Sequence, residues 1–211
     1  MIDIPYLILV LVVILFSMTL HEVMHGFMAY WLGDDTAKAQ GRLSFNPIHH
    51  IDPIMTIALP LFLAVLQMPI FGGAKPVPFN PSRVKWGEWG AALVGLIGPL
   101  TNFFIAFVAF GILAVLNLSL DTAAGQVLMT IVGVNLGFFV FNMLPIPPLD
   151  GSRVLYALAP DVVRRGMEWV ETYGIFLVFA IVLVASSAIG RIMGAGIEGI
   201  IRLFALIFGV H

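Results

Sequence analysis

The sequence predicts an all-α polytopic membrane protein, because the chain is apolar, poor in charge and divided into long hydrophobic stretches. Of its 211 residues, 60% are hydrophobic and 10% are charged, and the mean hydropathy is +1.04. Soluble domains carry about 25% charged residues and about 45–50% apolar ones. A water-soluble core of this size could not bury so much apolar surface, so the lipid bilayer must be the solvent. Because the sequence shows no repeat, no low-complexity tract and no appended soluble domain, residues 1–211 are predicted to form a single integral-membrane domain.

Composition also limits the function classes. The net charge is −2, and no basic run indicates a nucleic-acid partner. The chain has no cysteine, so any metal must be held by His, Asp or Glu. The apolar N-terminal stretch lacks a basic n-region, which favours a retained helix over a cleaved signal peptide.

The first half of the chain contains one clear span and one interrupted stretch. Residues 5–32 exceed the roughly 20 apolar residues that a spanning helix needs, and they end at Gly33. Residues 53–71 are also apolar, but three prolines interrupt them, and proline breaks the hydrogen bonding of a helix interior. We therefore expect 53–71 to be re-entrant or to cross only partly. The Pro-rich stretch 74–79 is predicted to be a short extended element.

The second half of the chain predicts further helices. Two apolar stretches joined by a short turn, 90–117 and 124–144, indicate spans. An amphipathic charged stretch follows at 152–172, and two more helices are predicted at 173–189 and 191–210. In total we expect about five to six transmembrane helices with one re-entrant segment.

The clearest chemical motif is His21-Glu22-Val23-Met24-His25, inside the first span. Residues four apart lie on one face of a helix, so both imidazoles point at a common centre. The glutamate between them is placed to act on a water as general base. The pattern also occurs by chance in ordinary helices, but an ionisable group inside a span costs at least about 2.5–3.5 kcal/mol and so marks function. We predict a catalytic zinc site with Glu22 as the base.

A third zinc ligand is expected elsewhere in the chain, because catalytic zinc takes three protein ligands and a water. The best candidate is Asp150, which a proline-rich segment presents after the 124–144 helix and which Gly151 follows. The alternative is that Asp150 simply caps the helix beginning near Ser152. The two roles can coexist.

These motifs resemble those of the site-2 proteases, which cut their substrates within the membrane. The resemblance covers about residues 15 to 160 and is to the compact members that lack PDZ or CBS domains. Besides HEVMH and NMLPIPPLDG, it includes several shorter motifs: Gly33-Asp34, Asn46-Pro47, His50-Ile51-Asp52-Pro53, Ala74-Lys75-Pro76-Val77-Pro78 and Gly98-Pro99-Leu100-Thr101-Asn102.

The resemblance implies a function and a metal site. It implies that His21, His25 and Asp150 bind one zinc ion per chain, that Glu22 is catalytic, and that the substrates are transmembrane proteins cut within or next to their spans. A helical substrate hides its peptide bonds and must unwind before cleavage. The 74–79 stretch could then add a substrate strand to its edge, a role that involves Lys75 and Val77.

Two asparagines are further candidates. The resemblance suggests that Asn142, and less directly Asn102, contacts the substrate or the transition state. The Asn142 amide could donate to a developing oxyanion, or it could make an ordinary helix–helix hydrogen bond. Asn102 lies beside Gly98 and Pro99, which indicate a close helix crossing and a structural role.

Other functions use the same residue types. A membrane-embedded metal carrier, or an inactive binding protein, would also place His and Asp in the bilayer, but it needs no glutamate between the ligands. A membrane metalloprotease acting on lipidated C-termini would use His and Glu, but it gives Asp150 and the 74–79 stretch no role.

The positive charges predict the orientation in the membrane. To share one zinc ion, the ends of the 5–32 and 124–144 helices must lie on the same side, so these helices run parallel. The opposite side keeps only Arg191. The loops on the ligand side carry most of the Lys and Arg residues, namely Lys38, Arg42, Lys75, Arg83, Lys85, Arg153, Arg164 and Arg165. Because such a bias marks the cytoplasmic side, we expect a prokaryotic plasma-membrane protein whose active site faces the cytosol.

Single cysteines in this cysteine-free chain test that orientation. A membrane-impermeant thiol reagent, applied to intact cells, should label a cysteine at Asp121 and leave cysteines at Lys38, Lys85 and Arg164 unlabelled. The reverse labelling pattern would overturn the predicted orientation.

Overall fold

A computed structural model describes residues 4–58, 73–174 and 186–210, and all the regular structure in these ranges is helical, as predicted. Two short 3₁₀ helices, Pro47–His50 and Pro81–Arg83, and one π-helix, Pro53–Ala58, accompany the α-helices. The α-helices are α1 (Ile4–Trp31), α2 (Thr36–Ala39), α3 (Gly87–Val115), α4 (Ala123–Asn142), α5 (Gly151–Leu158), α6 (Asp161–Thr172) and α7 (Ser186–Phe208).

Three of these helices, α1, α3 and α4, are long and apolar enough to cross a membrane. The described residues therefore show three candidate spans, where the sequence predicts five to six. The re-entrant segment expected over 53–71 falls mostly on residues outside the described ranges, which resume at 73. The helix expected over 173–189 likewise falls mostly outside them, between 174 and 186.

The amphipathic stretch predicted over 152–172 forms two helices, α5 and α6, which are divided at Pro160. Proline disfavours the α conformation of the residue before it. Ala159, which precedes Pro160, accordingly has extended backbone angles, φ −76° and ψ 145°, and ends α5. Pro160 then stands just ahead of the first turn of α6.

α3 is the central helix of the bundle, since it contacts α1, α4, α5 and α7. Phe204 of α7 is fully buried among three aromatic rings of α3. The ring centroids of Phe103, Phe107 and Phe110 lie 5.3, 5.2 and 5.7 Å from that of Phe204. Lipid gives helices no hydrophobic reason to associate, so this close packing is what holds α7 onto α3.

Buried polar contacts set the directions of the first three long helices. Asn102 of α3 is hydrogen-bonded to Asn135 of α4, and Asn135 to Ser17 of α1. Beyond this level His25 of α1 is hydrogen-bonded to Val94 of α3, and Asp150, which follows α4, lies beside Gly95 of α3, so α1 and α4 end on the side where α3 begins. α1 and α4 therefore run parallel, as a metal site shared by their ends requires.

α7 begins on the same side as the ends of α1 and α4. Gly196 lies against Val140 near the C-terminal end of α4, and Phe208 lies against Gly111 near the C-terminal end of α3. Arg191 is thus on the side that carries the other basic residues. The sequence-based assignment of Arg191 to the opposite side was wrong, because it treated 190 as a turn between two spans.

Residues 73–80, which cover the predicted extended element, form neither helix nor strand. Their backbone is held along the loop after α1: Lys75 N–H donates to His50 O at 2.9 Å, and the Arg42 guanidinium donates to Lys75 O at 2.7 Å. Asn80 N–H donates to the buried Asp34 carboxylate at 2.5 Å. Burial by itself raises the pKa of Asp34, but the Thr36 hydroxyl, the backbone N–H groups of Asn80 and Thr36 and the charge of Arg83 together lower the pKa below its ordinary value.

Replacing Phe204 by Ala should loosen α7. In lipid the transfer contribution largely disappears, and the cavity contribution, about 24 cal/mol per Å³, gives about 2 kcal/mol for a void of about 90 Å³. The free energy of unfolding, measured by denaturant titration in detergent, should fall by that amount. Leu206→Ala on the exposed face of the same helix is the control, and equal losses in both variants would contradict this packing.

Candidate metal centre

His21 and His25 lie one helical turn apart in the C-terminal half of α1, and both are buried. Their Nε2 atoms are 3.0 Å apart, and their rings meet edge to face with centroids 4.7 Å apart. The i, i+4 spacing therefore does what the sequence pattern predicts, and it brings two potential ligand atoms to one point inside a candidate span.

Asp150 completes the cluster from the other side. Its carboxylate Oδ2 lies 3.0 Å from His21 Nε2 and 3.4 Å from His25 Nε2. Asp150 stands at the N-cap position of α5, but its side chain makes no capping hydrogen bond, so the capping alternative does not describe its contacts.

Gly151 allows Asp150 to reach this position. A Cβ on Gly151 would lie 2.5 Å from the backbone oxygen of Met143. Only a residue without a side chain lets the start of α5 approach the end of α4 this closely. In the Asp150-Gly151 pair, the glycine thus permits the close packing that places the aspartate beside the two histidines.

The three ligand atoms fit a tetrahedral zinc ion. They all lie within 4.8 Å of one another, and the individual separations are 3.0, 3.0 and 3.4 Å. Ligands bound at roughly 2.0–2.1 Å in tetrahedral geometry lie roughly 3.3 Å apart. Two imidazole nitrogens and one carboxylate oxygen are also a known donor set of catalytic zinc, as in the His₂Glu peptidases.

Gly98 of α3 provides the space beside the ligand atoms. A Cβ on Gly98 would overlap His25 Nε2 and would lie 2.7 Å from His21 Nε2. From the sequence, Gly98 indicated only a close helix crossing. The crossing exists, and what approaches α3 there is the pair of imidazoles.

Both imidazoles are oriented by hydrogen bonds at Nδ1. His25 Nδ1 donates to the backbone oxygen of Val94 at 2.6 Å, and His21 Nδ1 lies 2.6 Å from Asn102 Oδ1. Such partners fix the ring orientation of metal-binding histidines and leave Nε2 for the metal. Asn102 is fully buried and donates to Asn135 Oδ1 at 2.8 Å.

Glu22 faces the 73–80 segment. Its Oε2 accepts a hydrogen bond of 2.9 Å from Val77 N–H, so the candidate base is tied to a backbone amide and is not one of the clustered ligands. Val77 is buried and Lys75 is exposed. Asn142 donates from its amide to Phe138 O at 3.0 Å, within its own helix.

Three groups that support the two histidines were not predicted from the sequence: the Asn135 amide, the Ser17 hydroxyl and the Val94 carbonyl. Asn135 could have been noticed by the reasoning applied to His21, since a polar residue inside an apolar span requires a partner. Ser17 and the Val94 carbonyl carry no comparable sign, because small hydroxyl residues are common in spans and every residue has a backbone oxygen.

Comparison with known proteins identifies the family. YwhC of Bacillus subtilis, named as a zinc metalloprotease, is 38% identical in an alignment that covers 97% of this chain and 93% of that protein. Residues 117–185 match the profile of Peptidase family M50. The chain belongs to peptidase family M50, the site-2 protease family.

Other relatives of this M50 peptidase share less of its length. Rip2 of Mycolicibacterium smegmatis, also named as a zinc metalloprotease, is 29% identical over 84% of this chain and 66% of that protein. MJ0611 of Methanocaldococcus jannaschii, named likewise, is 42% identical over 29% of this chain and 31% of that protein. No solved structure matches the chain.

Gly98→Ala tests whether α3 leaves room for the metal ligands. The added methyl group would displace both ligand nitrogens, so the zinc content of the purified protein should fall several-fold. Gly133→Ala in α4, where a Cβ meets nothing within 4 Å, is the matched control and should keep its zinc. Full zinc occupancy in Gly98→Ala would contradict this geometry.

Proposed function

We propose that this M50 peptidase is an intramembrane zinc endopeptidase of the HExxH type, which hydrolyses peptide bonds within or next to the spans of transmembrane proteins. The observation that carries this proposal is the meeting of His21, His25 and Asp150 at one point inside the helix bundle, with Glu22 beside them. The three ligands would hold one zinc ion per chain and leave a position for water or substrate.

The residues divide the chemistry between them. When bound, zinc supplies Lewis acidity, which makes water a nucleophile near neutral pH and polarises the scissile carbonyl. Glu22 takes the proton of the attacking water and then passes it to the leaving amine. Val77 N–H holds Oε2 of the Glu22 carboxylate, so the base keeps one orientation during the transfer.

Asn142 and Asn102 take different roles in this proposal. An amide nitrogen carries two hydrogens, and the Asn142 bond to Phe138 O uses one of them. The second can donate to the oxyanion that forms as water attacks the carbonyl. Asn102 is fully buried with its amide directed at His21 and Asn135, so it acts through His21 and not on the substrate.

The 73–80 segment supports a specific form of substrate binding. The amides of Lys75 and Val77 already donate to His50 O and Glu22, and Pro76 and Pro78 have no N–H. Residues 75–78 therefore have no further backbone donor. A substrate strand added along this edge must donate its own N–H groups to the carbonyls of the segment.

The location of the active site follows from the orientation of the helices. The ends of α1 and α4 and the start of α7 lie on one side, and that side now includes Arg191 as well as the other loop cations. We propose that this side is cytoplasmic in a prokaryotic plasma membrane, so that the M50 peptidase cuts near the cytosolic leaflet.

Glu22→Gln separates catalysis from metal binding. This variant should keep zinc at the level of the intact protein and lose at least about 100-fold in cleavage rate, because general base catalysis contributes about 10²–10⁴-fold. Asp150→Ala should instead lose zinc. Cleavage of co-expressed single-span proteins, with cut sites mapped by mass spectrometry, measures the rate. A metal carrier, by contrast, should still transport metal when Glu22 is replaced by Gln. Cleavage by this variant at nearly the intact rate would remove Glu22 from the mechanism.

Substrate unwinding predicts a sequence dependence in the substrate. Each unsatisfied backbone group in lipid costs several kcal/mol, so cleavable spans should contain Gly, Pro or Asn near the cut. Replacing those residues by Leu should slow cleavage several-fold in the same co-expression measurement. A poly-Leu span cleaved at an equal rate would contradict the unwinding step.

A further inference from the structure

A chain of buried amides connects the metal centre to the backbone of α4. Asn102 and Asn135 are both fully buried, and Ser17 nearly so. From His21 Nδ1 the contacts run to Asn102 Oδ1 at 2.6 Å, and from Asn102 Nδ2 to Asn135 Oδ1 at 2.8 Å. Asn135 Nδ2 then reaches Ile131 O and Ser17 Oγ, both at 2.9 Å.

Two backbone carbonyls, those of Ile131 and Ser17, determine which way the hydrogen bonds between these buried side chains run. The two ends of an Asn amide have similar shapes, so its orientation is established by its partners. Ile131 O can only accept, and Asn135 must therefore present Nδ2 to it and Oδ1 to Asn102. Asn102 must then present Nδ2 to Asn135, which also directs Nδ2 towards Ser17 O at 3.4 Å.

The direction of these bonds decides which nitrogen of His21 can bind a metal. With Nδ2 directed at Asn135, the Asn102 amide presents Oδ1 to His21, and a carbonyl oxygen requires a donor. His21 must carry its proton on Nδ1, which leaves the lone pair of Nε2 directed at His25 and Asp150. If the Asn102 amide turned over, it would donate to Nδ1, and the proton would move to Nε2, where it blocks a metal.

We propose that Asn135 is a positioning residue of the metal centre. Anchored to the α4 backbone, it fixes the orientation of the Asn102 amide, and through that amide the tautomer of His21. Its role is to keep Nε2 of His21 ready to bind the zinc of the proposed function, on which this inference rests.

Asn135→Leu removes the anchor with a side chain of similar size. Asn102 can then turn over, so zinc should bind about 10-fold more weakly, at the lower end of the usual 10–100-fold loss for such outer partners. Zinc affinity is measured by competition with a chromophoric chelator on the purified full chain. Thr130→Val, which deletes another buried polar group of α4, a hydroxyl that donates to Gln126 O within the same helix, is the control and should bind zinc as the intact protein does.

A double-mutant cycle distinguishes positioning from a general structural effect. Asn102→Asp replaces the amide by a carboxylate, which has no donor end and accepts from His21 Nδ1 in either orientation. In the Asn102→Asp background, Asn135→Leu should therefore lower the zinc affinity by less than about two-fold. An equal loss in both backgrounds would show that Asn135 supports only the packing, and it would overturn the proposal.

A measurement on the intact protein covers the case in which Asn135→Leu fails to fold. In protein with ¹⁵N-labelled histidine, the NMR spectrum of the zinc-loaded form should show His21 with its proton on Nδ1 and none on Nε2. Binding of the zinc through Nδ1 of His21 would overturn the proposal. If the intact protein bound no zinc at all, the proposed function would fail. Unchanged zinc affinity in a folded Asn135→Leu variant would overturn this inference alone.

Discussion

The structure depends on placing three ionisable side chains inside an apolar helix bundle. Each such group costs at least about 2.5–3.5 kcal/mol on insertion scales, and the cost is offset only when the groups bind one another or a cation. His21, His25 and Asp150 meet this constraint together, because their ligand atoms all lie within 4.8 Å. The cluster of these three side chains therefore joins the end of α1 to the segment that follows α4.

Several features of the bundle follow from this constraint. Gly98 lacks a side chain where the two imidazoles approach α3, and Gly151 lacks one where Asp150 is brought in from the end of α4. The polar atoms behind the ligands are also satisfied, since His25 donates to a backbone oxygen and His21 is bonded to a buried amide. In a medium that offers no water, each of these partners must come from the protein itself.

The sequence predicted which ionisable side chains lie together better than it predicted the groups that surround them. The i, i+4 spacing of His21 and His25 needs only a helix, and helix α1 begins and ends within one residue of its predicted bounds. Asp150 came from its position after an apolar helix and from the motif around it. The contacts of Asn102 were not predictable in this way, because they depend on the level at which α3 and α4 cross.

Other features had no sign in the residue types. The backbone oxygen of Val94 and the amide of Val77 contact His25 and Glu22, and any residue has such groups. The side on which Arg191 lies depends on the direction of α7, which the contacts of Phe204 and Gly196 determine and which hydropathy does not. Local periodicity thus predicts helices and ligand pairs, whereas orientation and outer partners depend on tertiary packing.

Zinc K-edge X-ray absorption of the purified protein tests the central claim most directly. The account predicts a four-coordinate shell of nitrogen and oxygen at roughly 2.0–2.1 Å, with the multiple scattering of two imidazoles. This result would match two histidines, one carboxylate and one further light ligand. A shell with three or more imidazoles, or six oxygen ligands without imidazole, would contradict a centre built from His21, His25 and Asp150.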